Sequence, residues 1–276
     1  MTKKEALCAL GSLAGAALLP AAGLSHVLWH RGRRGLAAAT LAAGFGADGL
    51  LLSAFLIPNL PLTGRMFFRG CRTGGSIALT FDDGPRQPFT GQILDVLKQE
   101  EARATFFVLG ENAMRSPETV KRMVAEGHRV ANHGMDHDIL MWASAGAARM
   151  QLKLTDQALR EAGADDPAPL FRPPHGWLSP LAHRAVTAAG YTVVGWTKGV
   201  WDTASPGVEQ IVSRTAEVLE PGSILLLHDG WRGSRAEDRS QTVAALPRII
   251  SQARARGLAF VTVEELIEQA EGGCPA

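Results

Sequence analysis

The sequence predicts an α/β protein. It should hold a closed or nearly closed (β/α) barrel of about seven parallel strands, preceded by an N-terminal hairpin of two transmembrane helices. Three observations lead there. From Ser76 onward, short apolar strand patterns alternate with helical ones, the arrangement of βα units and a parallel sheet. Ionisable residues stand just after the strand patterns, where a barrel of this kind places its chemistry. Before residue 58 lie two long runs almost free of charge.

The first run, Ala6 to Trp29, carries no charged residue and exceeds the roughly 20 residues that span a bilayer. His30-Arg31-Gly32-Arg33-Arg34 follows, and then Gly35 to Ile57, with a single charge at Asp48. Pro58 and Pro61 close it. A cleaved signal peptide is the alternative for the first run, with Lys3 and Lys4 in front of it, but the run is long for an h-region of about 7–15 residues. Neither run has the polar face of a surface helix. The reading is an anchor over residues 1–62 with spans at 6–29 and 35–57, a linker at 63–75, and a catalytic domain at 76–270. The positive-inside rule applied to Arg31, Arg33 and Arg34 keeps the short loop cytoplasmic and puts the catalytic domain outside, on the periplasmic side of a bacterial inner membrane. Lys3 and Lys4, and Arg65, Arg69 and Arg72, pull the other way. Met66, Phe67 and Phe68 read as an apolar patch beside the membrane.

Composition removes other classes. The 28 Lys and Arg nearly balance the 27 Asp and Glu, so charge offers no footprint for nucleic acid. The cysteines, Cys8, Cys71 and Cys274, form no C-x-x-C pair, which rules out zinc-ribbon and thioredoxin-like sites. Cys71 and Cys274 bracket the catalytic domain. They either pair, if it faces an oxidising compartment, or stand as two separate surface thiols, the reading preferred here.

In the catalytic domain Ser76–Phe81 is the first strand, apolar and rich in β-branched and aromatic residues. Gln92–Lys98 is helical, with Ile93, Leu94 and Leu97 on one face. Ala104–Leu109 is a strand. Ser116-Pro117-Glu118 starts a helix that runs to Glu126, with Ser as N-cap and Pro at N1. His128–Asn132 is a strand, Ala145–Ala162 a helix, Leu170–Arg172 a strand, Ser179–Ala189 a helix and Tyr191–Trp196 a strand. Val208–Leu219 is a helix and Ser223–Leu227 a strongly apolar strand. Val243–Arg256 is a helix that starts or kinks at Pro247. Ala259–Thr262 and Glu264–Ala270 are the last strand and helix.

After the first strand come Asp82 and Asp83; after the third, His133 and His137; after the fourth, Arg172 within Phe-Arg-Pro-Pro-His-Gly. Asp202 follows the Trp196 strand, and His228 with Asp229 follows Ser223–Leu227. Each has a plain explanation alone: Asp-Gly-Pro is ordinary turn chemistry, and most histidines are surface or hydrogen-bonded residues. His26, His30, His128 and His183 keep that explanation. Collected at one end of a barrel, the set reads differently. His133 and His137 are four apart, so one helical turn would put both imidazoles on one side. Two imidazoles and a carboxylate form an open ligand set for a catalytic divalent metal.

Thr80-Phe81-Asp82-Asp83-Gly84-Pro85, the His133 and His137 pair, Arg172-Pro173-Pro174-His175-Gly176, Asp202 and Leu226-Leu227-His228 resemble, in order, the motifs of the polysaccharide deacetylases, the NodB-homology carbohydrate esterases. The resemblance covers roughly Ser76 to Ile267. It implies a distorted (β/α) barrel and removal of N-acetyl groups from amino-sugar residues of a peptidoglycan- or chitin-like glycan. It implies that Asp83, His133 and His137 ligate one divalent metal, usually Zn2+, with Co2+, Ni2+ or Mn2+ suiting the same donors. Asp82 would be the general base on metal-activated water, fixed by Arg172. His228 would be the general acid, held cationic by Asp202. A backbone N–H near His175 would help bind the oxyanion, and Leu226 would line the acetyl pocket. Some positions depart from the family pattern. Gly134 stands where Ser or Thr usually follows the first His, His175 replaces a frequent Tyr, and Gly199 and Thr203 replace an Asp and a Trp. Stacking on substrate would then fall to Trp201 or Trp231. The partner is an N-acetylated glycan or, given the anchor, a lipid-linked amino sugar that loses an acyl or formyl group. A silent glycan-binding scaffold and an O-acetyl esterase are the other readings of the same fold.

Overall fold

The computed structural model describes residues 64–273, except 139, 141, 142 and 233–236, together with residues 22, 24, 25, 36, 38–40, 42–44 and 46. The chain divides into two compact units, Met1–Thr63 and Gly64–Ala276. The apolar runs assigned to a membrane hairpin fall almost wholly outside the described residues. Among the described residues, no helix is long and apolar enough to cross a membrane.

In the second unit, strands and helices alternate as the pattern predicts. In chain order they are β1 (Ser76–Asp82), α1 (Phe89–Gln99), β2 (Ala104–Val108), α2 (Gly110–Arg115), α3 (Pro117–Ala125), β3 (Arg129–Asn132), α4 (Ala145–Glu161) and β4 (Ala168–Phe171). Then come α5 (Pro180–Ala188), β5 (Thr192–Val193), β6 (Lys198–Gly199), α6 (Val208–Ala216), β7 (Ile224–His228), α7 (Ser240–Ala255), β8 (Ala259–Val261) and α8 (Val263–Glu271). All pairings are parallel, in the order β5-β4-β3-β2-β1-β7-β6, with β8 beside the start of β1.

The sheet is a half-barrel: seven parallel strands follow one another in this order, with β8 added beside β1, and it stays open where the pattern suggested a closed or nearly closed barrel. Its two edges, β5 and β6, do not pair with each other. The single strand expected over Tyr191–Trp196 breaks after Val193, and the chain crosses from β5, paired with β4, to β6, paired with β7, without a helix between. Phe67 fills the seam. Its N–H donates to the Val193 carbonyl at 2.8 Å, and its carbonyl accepts from the Gly195 N–H at 2.8 Å. Part of the segment read as a linker therefore packs on the domain. Met66 is buried, Phe67 packs against a core cluster, and only Phe68 is largely exposed, so the three do not form one apolar patch. Cys71 is buried and disulfide-bonded, not a surface thiol; its partner lies outside the described residues.

Strand parity sets what faces the inside of the curl. Ile77, Leu79 and Phe81 of β1, Phe106 and Val108 of β2, and Leu225 and Leu227 of β7 join the main core, with residues of α1, α6 and α7. Ala78, Thr80 and Asp82, and Ile224, Leu226 and His228, alternate with them and turn the other way. A strand buried on both faces needs the near-continuous apolar run that β1 has, and six of its seven residues are buried.

Two helices differ from expectation. The α2 helix was not predicted: it begins at Gly110 with no side-chain cap, so it leaves no start signal in the sequence. The α7 helix does not start at Pro247 but runs from Ser240 through it. His128 and His183 are ordinary, as expected. His128 Nδ1 accepts the Ala104 N–H at 3.2 Å, and His183 Nε2 bonds the Arg65 carbonyl at 2.9 Å.

Candidate active site

The site grows from the carboxyl ends of β1, β3, β4 and β7. Asp82 is the last residue of β1 and sits inside the curl, 3 % exposed. Arg172 follows β4 and is fully buried. Its Nη1 donates to Asp82 Oδ1 at 2.7 Å and to Thr80 Oγ1 at 2.7 Å, and its Nη2 donates to the Gly195 carbonyl at 2.8 Å. The guanidinium lies over the Phe107 ring, 4.0 Å from its centroid. Burial lowers the Arg172 pKa and the Asp82 carboxylate opposes this.

At Asp83 the chain leaves the strand in the left-handed region, with φ 72°. Asn112 of α2 holds this turn: its Nδ2 donates to the carbonyls of Asp83 at 2.7 Å and Trp231 at 3.0 Å. Gly84 cannot carry a side chain, because a Cβ there would lie 1.9 Å from Asp229 Oδ2. Asp229 is fully buried and accepts from Thr90 Oγ1 at 2.7 Å; burial, with Asp83 and Asp82 adding to it, pushes its carboxyl up to about 7 against the Thr90 bond.

His133 and His137 meet Asp83. His133 Nε2 is 3.3 Å and His137 Nε2 3.1 Å from Asp83 Oδ1. The spacing of four works here without a helix: Gly134 and His137 take φ of 86° and 63°, and the loop brings the rings to 5.3 Å. Burial would raise the Asp83 pKa, but His137 and His133 outweigh it and hold the carboxyl well below the usual carboxylate range. Burial would likewise lower His133, but Asp82 and Asp83 raise it above the ordinary histidine value.

These residues fit a metal on their own chemistry. The donor atoms of Asp83, His133 and His137 all lie within 4.8 Å of one another. Asp83 Oδ1 is buried without a hydrogen bond, although two imidazole nitrogens lie beside it. His133 Nδ1 lies 2.8 Å from the Arg172 carbonyl, which can only accept, so Nδ1 carries the proton and Nε2 turns its lone pair inward. Gly134 does not cost this orientation. Its left-handed φ suits glycine, and its N–H donates to Asn132 Oδ1 at 2.9 Å.

Across from the cluster is His228, the last residue of β7. Asp202 is 2 % exposed; its Oδ1 lies 2.8 Å from His228 Nδ1, and its Oδ2 accepts from the His228 backbone N–H at 2.8 Å and from Thr242 Oγ1 at 3.0 Å. Burial would lower His228, but Asp202, then Asp83 and Asp82, push it up to about 9. Asp202 is lowered in turn: His228 outweighs the effect of burial. With Nδ1 engaged, Nε2 is the atom that can give a proton.

The remaining expected residues divide. His175, with φ 59°, packs its ring edge-on to His137 at 4.5 Å. Leu226 is buried two residues before His228 on the same face of β7. Trp201 is 65 % exposed and beside Asp202. Trp231 is no open stacking surface: it is 7 % exposed, packed at 6.2 Å from Phe89 and under the Arg86 guanidinium at 5.1 Å. Sequence reasoning missed Asn112, Asn132 and Thr242 and gave no role to Thr80 and Asp229. Thr80 shares the parity of Asp82 and was within reach; Asn112 lies on a helix that leaves no signal.

A family model for polysaccharide deacetylases matches residues 69–194. The chain is 40% identical over 194 residues to a peptidoglycan-N-acetylglucosamine deacetylase of Bacillus cereus, covering 69% of this chain and 87% of that protein. It belongs to the polysaccharide deacetylase family. A chitooligosaccharide deacetylase of Sinorhizobium fredii is 39% identical over 187 residues, 66% of this chain and 87% of that protein. Among solved structures, a peptidoglycan N-acetylglucosamine deacetylase bound to an N-oxidanyl-benzamide superposes with a TM-score of 0.67 at 32% identity, covering 72% of this chain and 91% of that one. A family 4 carbohydrate esterase from Streptomyces lividans in complex with acetate gives 0.61 at 32% identity, covering 69% and 92%. A pseudoenzyme of the same esterase family, in a mutant with restored activity, gives 0.66 at 25% identity over 72% and 70% of the chains. The protein is a polysaccharide deacetylase-type hydrolase, acting on carbon–nitrogen bonds other than peptide bonds.

Proposed function

We propose that this deacetylase removes N-acetyl groups from amino-sugar residues of a peptidoglycan- or chitin-like glycan. The observation that carries the reading is the pairing of two acid–base units around one donor cluster. Asp82, held by Arg172, has its Oδ2 3.8 Å from the Nε2 of His133 in the cluster of Asp83, His133 and His137, and His228, held by Asp202, is the register partner of Asp82 on the neighbouring strand β7. The intact set favours an enzyme over a silent scaffold. The curated relatives are named for this chemistry on peptidoglycan and chitooligosaccharides.

Asp83, His133 and His137 would hold one divalent metal, zinc by the usual preference of such donors, with cobalt, nickel or manganese able to replace it. When bound, it supplies a Lewis acid that polarises the acetamide carbonyl and acidifies water. Asp82 takes the proton of the attacking water; its Oδ1 is occupied by Arg172, leaving Oδ2 to act. His228 gives its Nε2 proton to the sugar nitrogen as the carbon–nitrogen bond breaks, so acetate and a free amine leave. The backbone N–H at His175 faces the charge that develops on the carbonyl oxygen, and Leu226 covers the acetyl methyl. Acetate release from chitooligosaccharides and from peptidoglycan tests this. Turnover by the wild-type chain and its loss in Asp82→Asn support it; equal rates in both contradict it.

The apolar runs favour a second substrate, a lipid-linked amino sugar deacylated at the membrane. With it goes the proposal that residues 6–29 and 35–57 anchor the protein in a bacterial inner membrane with the catalytic domain outside. The disulfide at Cys71 supports that side, since disulfides persist in oxidising compartments. A reporter fused after Ala276 that is active only in the cytoplasm would refute it.

A further inference from the structure

We propose that Tyr191 and Asp156, which touch no presumed ligand, are positioning residues that act through Asn132 on both His133 and Arg172. The proposal rests on the metal-site reading above. Asn132 ends β3 where the pairing with β4 slips: Ala131 is opposite Ala168, but Asn132 is opposite Phe171. Such irregularities re-aim side chains and leave backbone groups needing other partners. At this joint the two strands are held by a short list of bonds. The Arg172 N–H donates to the Asn132 carbonyl at 3.1 Å, and His133 Nδ1 reaches back to the Arg172 carbonyl at 2.8 Å. The cluster ligand and the guanidinium that orients Asp82 thus hang from one point of backbone.

The Asn132 side chain fixes that point. Its Oδ1 accepts the Gly134 N–H at 2.9 Å, closing the turn that presents His133. Its Nδ2 donates to the Leu152 carbonyl at 3.1 Å and to Asp156 Oδ1 at 2.9 Å. Asp156, on α4, accepts the Tyr191 hydroxyl on its other oxygen. Tyr191 is the only tyrosine of the chain and stands immediately before β5. The amide of Asn132 has two faces that look alike in shape and differ in chemistry. The Leu152 carbonyl can only accept and Asp156 Oδ1 accepts beside it, so together they turn the NH2 group toward α4 and the carbonyl toward Gly134. Tyr191 occupies the second carboxylate oxygen and so fixes the carboxylate. Tyr191 thus acts on Asn132 both through Asp156 and by its own side-chain contact, and Asn132 acts on the joint.

The test uses the full-length chain titrated with Co2+ and Zn2+, with acetate release measured at saturating metal. Asp156→Ala should weaken metal affinity about tenfold or more, the range seen when the partners of a ligand are removed. It should also lower kcat more than it raises KM, because Arg172 and Asp82 shift with the joint. Tyr191→Phe, which removes one hydroxyl, should weaken affinity a few-fold. The double variant should lose less than the sum of the two single losses, since both residues act on Asn132. Asp156→Asn, which keeps one acceptor, should recover part of the loss. A merely structural role lowers Tm and leaves metal affinity and kcat of the folded protein unchanged; that result in Tyr191→Phe and Asp156→Ala overturns the proposal, as does additivity in the double variant. If Asp156→Ala does not fold, Tyr191→Phe and Asp156→Asn decide alone. Metal binding without acetate release would sink the substrate reading and leave the affinity test standing; no metal binding by the wild-type chain overturns both.

Discussion

Replacing Asp202 by Asn tests how the proton donor is set. Asn keeps the size of Asp202 and an acceptor for the His228 N–H and Thr242, but removes the charge that does most to raise His228 to about 9. Without it, burial works against the remaining carboxylates and His228 returns to about 6.5 or below. At pH 7.5 the cationic fraction then falls from about 97% to about 10% or less. The rate on chitooligosaccharides should drop about tenfold at that pH, and by less than about twofold at pH 6. The assay is kcat/KM for acetate release from about pH 5.5 to about pH 10, which brackets both the ordinary histidine value and the raised one. The wild-type alkaline limb should lie near 9 and that of the variant at or below about 6.5. A loss of equal size at every pH, or a limb that stays in place, would refute the claim that Asp202 works by keeping His228 protonated.

The same pair should write itself into stability. The folded pKa of His228 is raised, so its contribution is complete below about pH 6.5 and is lost as pH rises through about 9. A shift of that size is worth about 3 kcal/mol, counted once for the pair. Urea midpoints should fall over that window in the wild type and stay flat in Asp202→Asn; a flat wild-type curve would contradict it. Arg172→Ala leaves Asp82 buried without its ion partner and should cost about 3–5 kcal/mol in urea unfolding, with Arg172→Met plus Asp82→Asn recovering most of it; a single-variant loss under about 1 kcal/mol would count against the buried pair. Gly84→Ala drives a Cβ into the Asp229 carboxylate and should displace Asp83, weakening metal affinity; metal titration with unchanged affinity would show that the turn can give way.

Much of this was legible because the site sits on strands. In β1 and β7 the period of two places Asp82 with Thr80, and His228 with Leu226, so a residue-level reading of the strands already points the reacting groups inward. The turn chemistry around Asp83-Gly84-Pro85 likewise shows as a breaker after an apolar run. Legibility ends where long-range contacts decide. The half-barrel edge depends on Phe67 meeting Val193 and Gly195, which no local pattern records. The His133 and His137 spacing suggested a helical turn, but two left-handed residues do the work. Asn112 and Asn132 look like ordinary polar residues until the carbonyls they hold are seen. Trp231 looked like a sugar platform and is instead packed between Phe89 and Arg86.

The central claim is that Asp83, His133 and His137 hold a metal on which glycan deacetylation depends. The most direct measurement is metal content together with acetate release from N-acetylglucosamine oligomers, in the full-length chain and in His133→Ala. The account predicts about one divalent ion per chain and turnover in the wild type, with both lost in the variant. A folded wild-type chain that binds no divalent metal, or one that releases acetate equally well after His133→Ala, would contradict it.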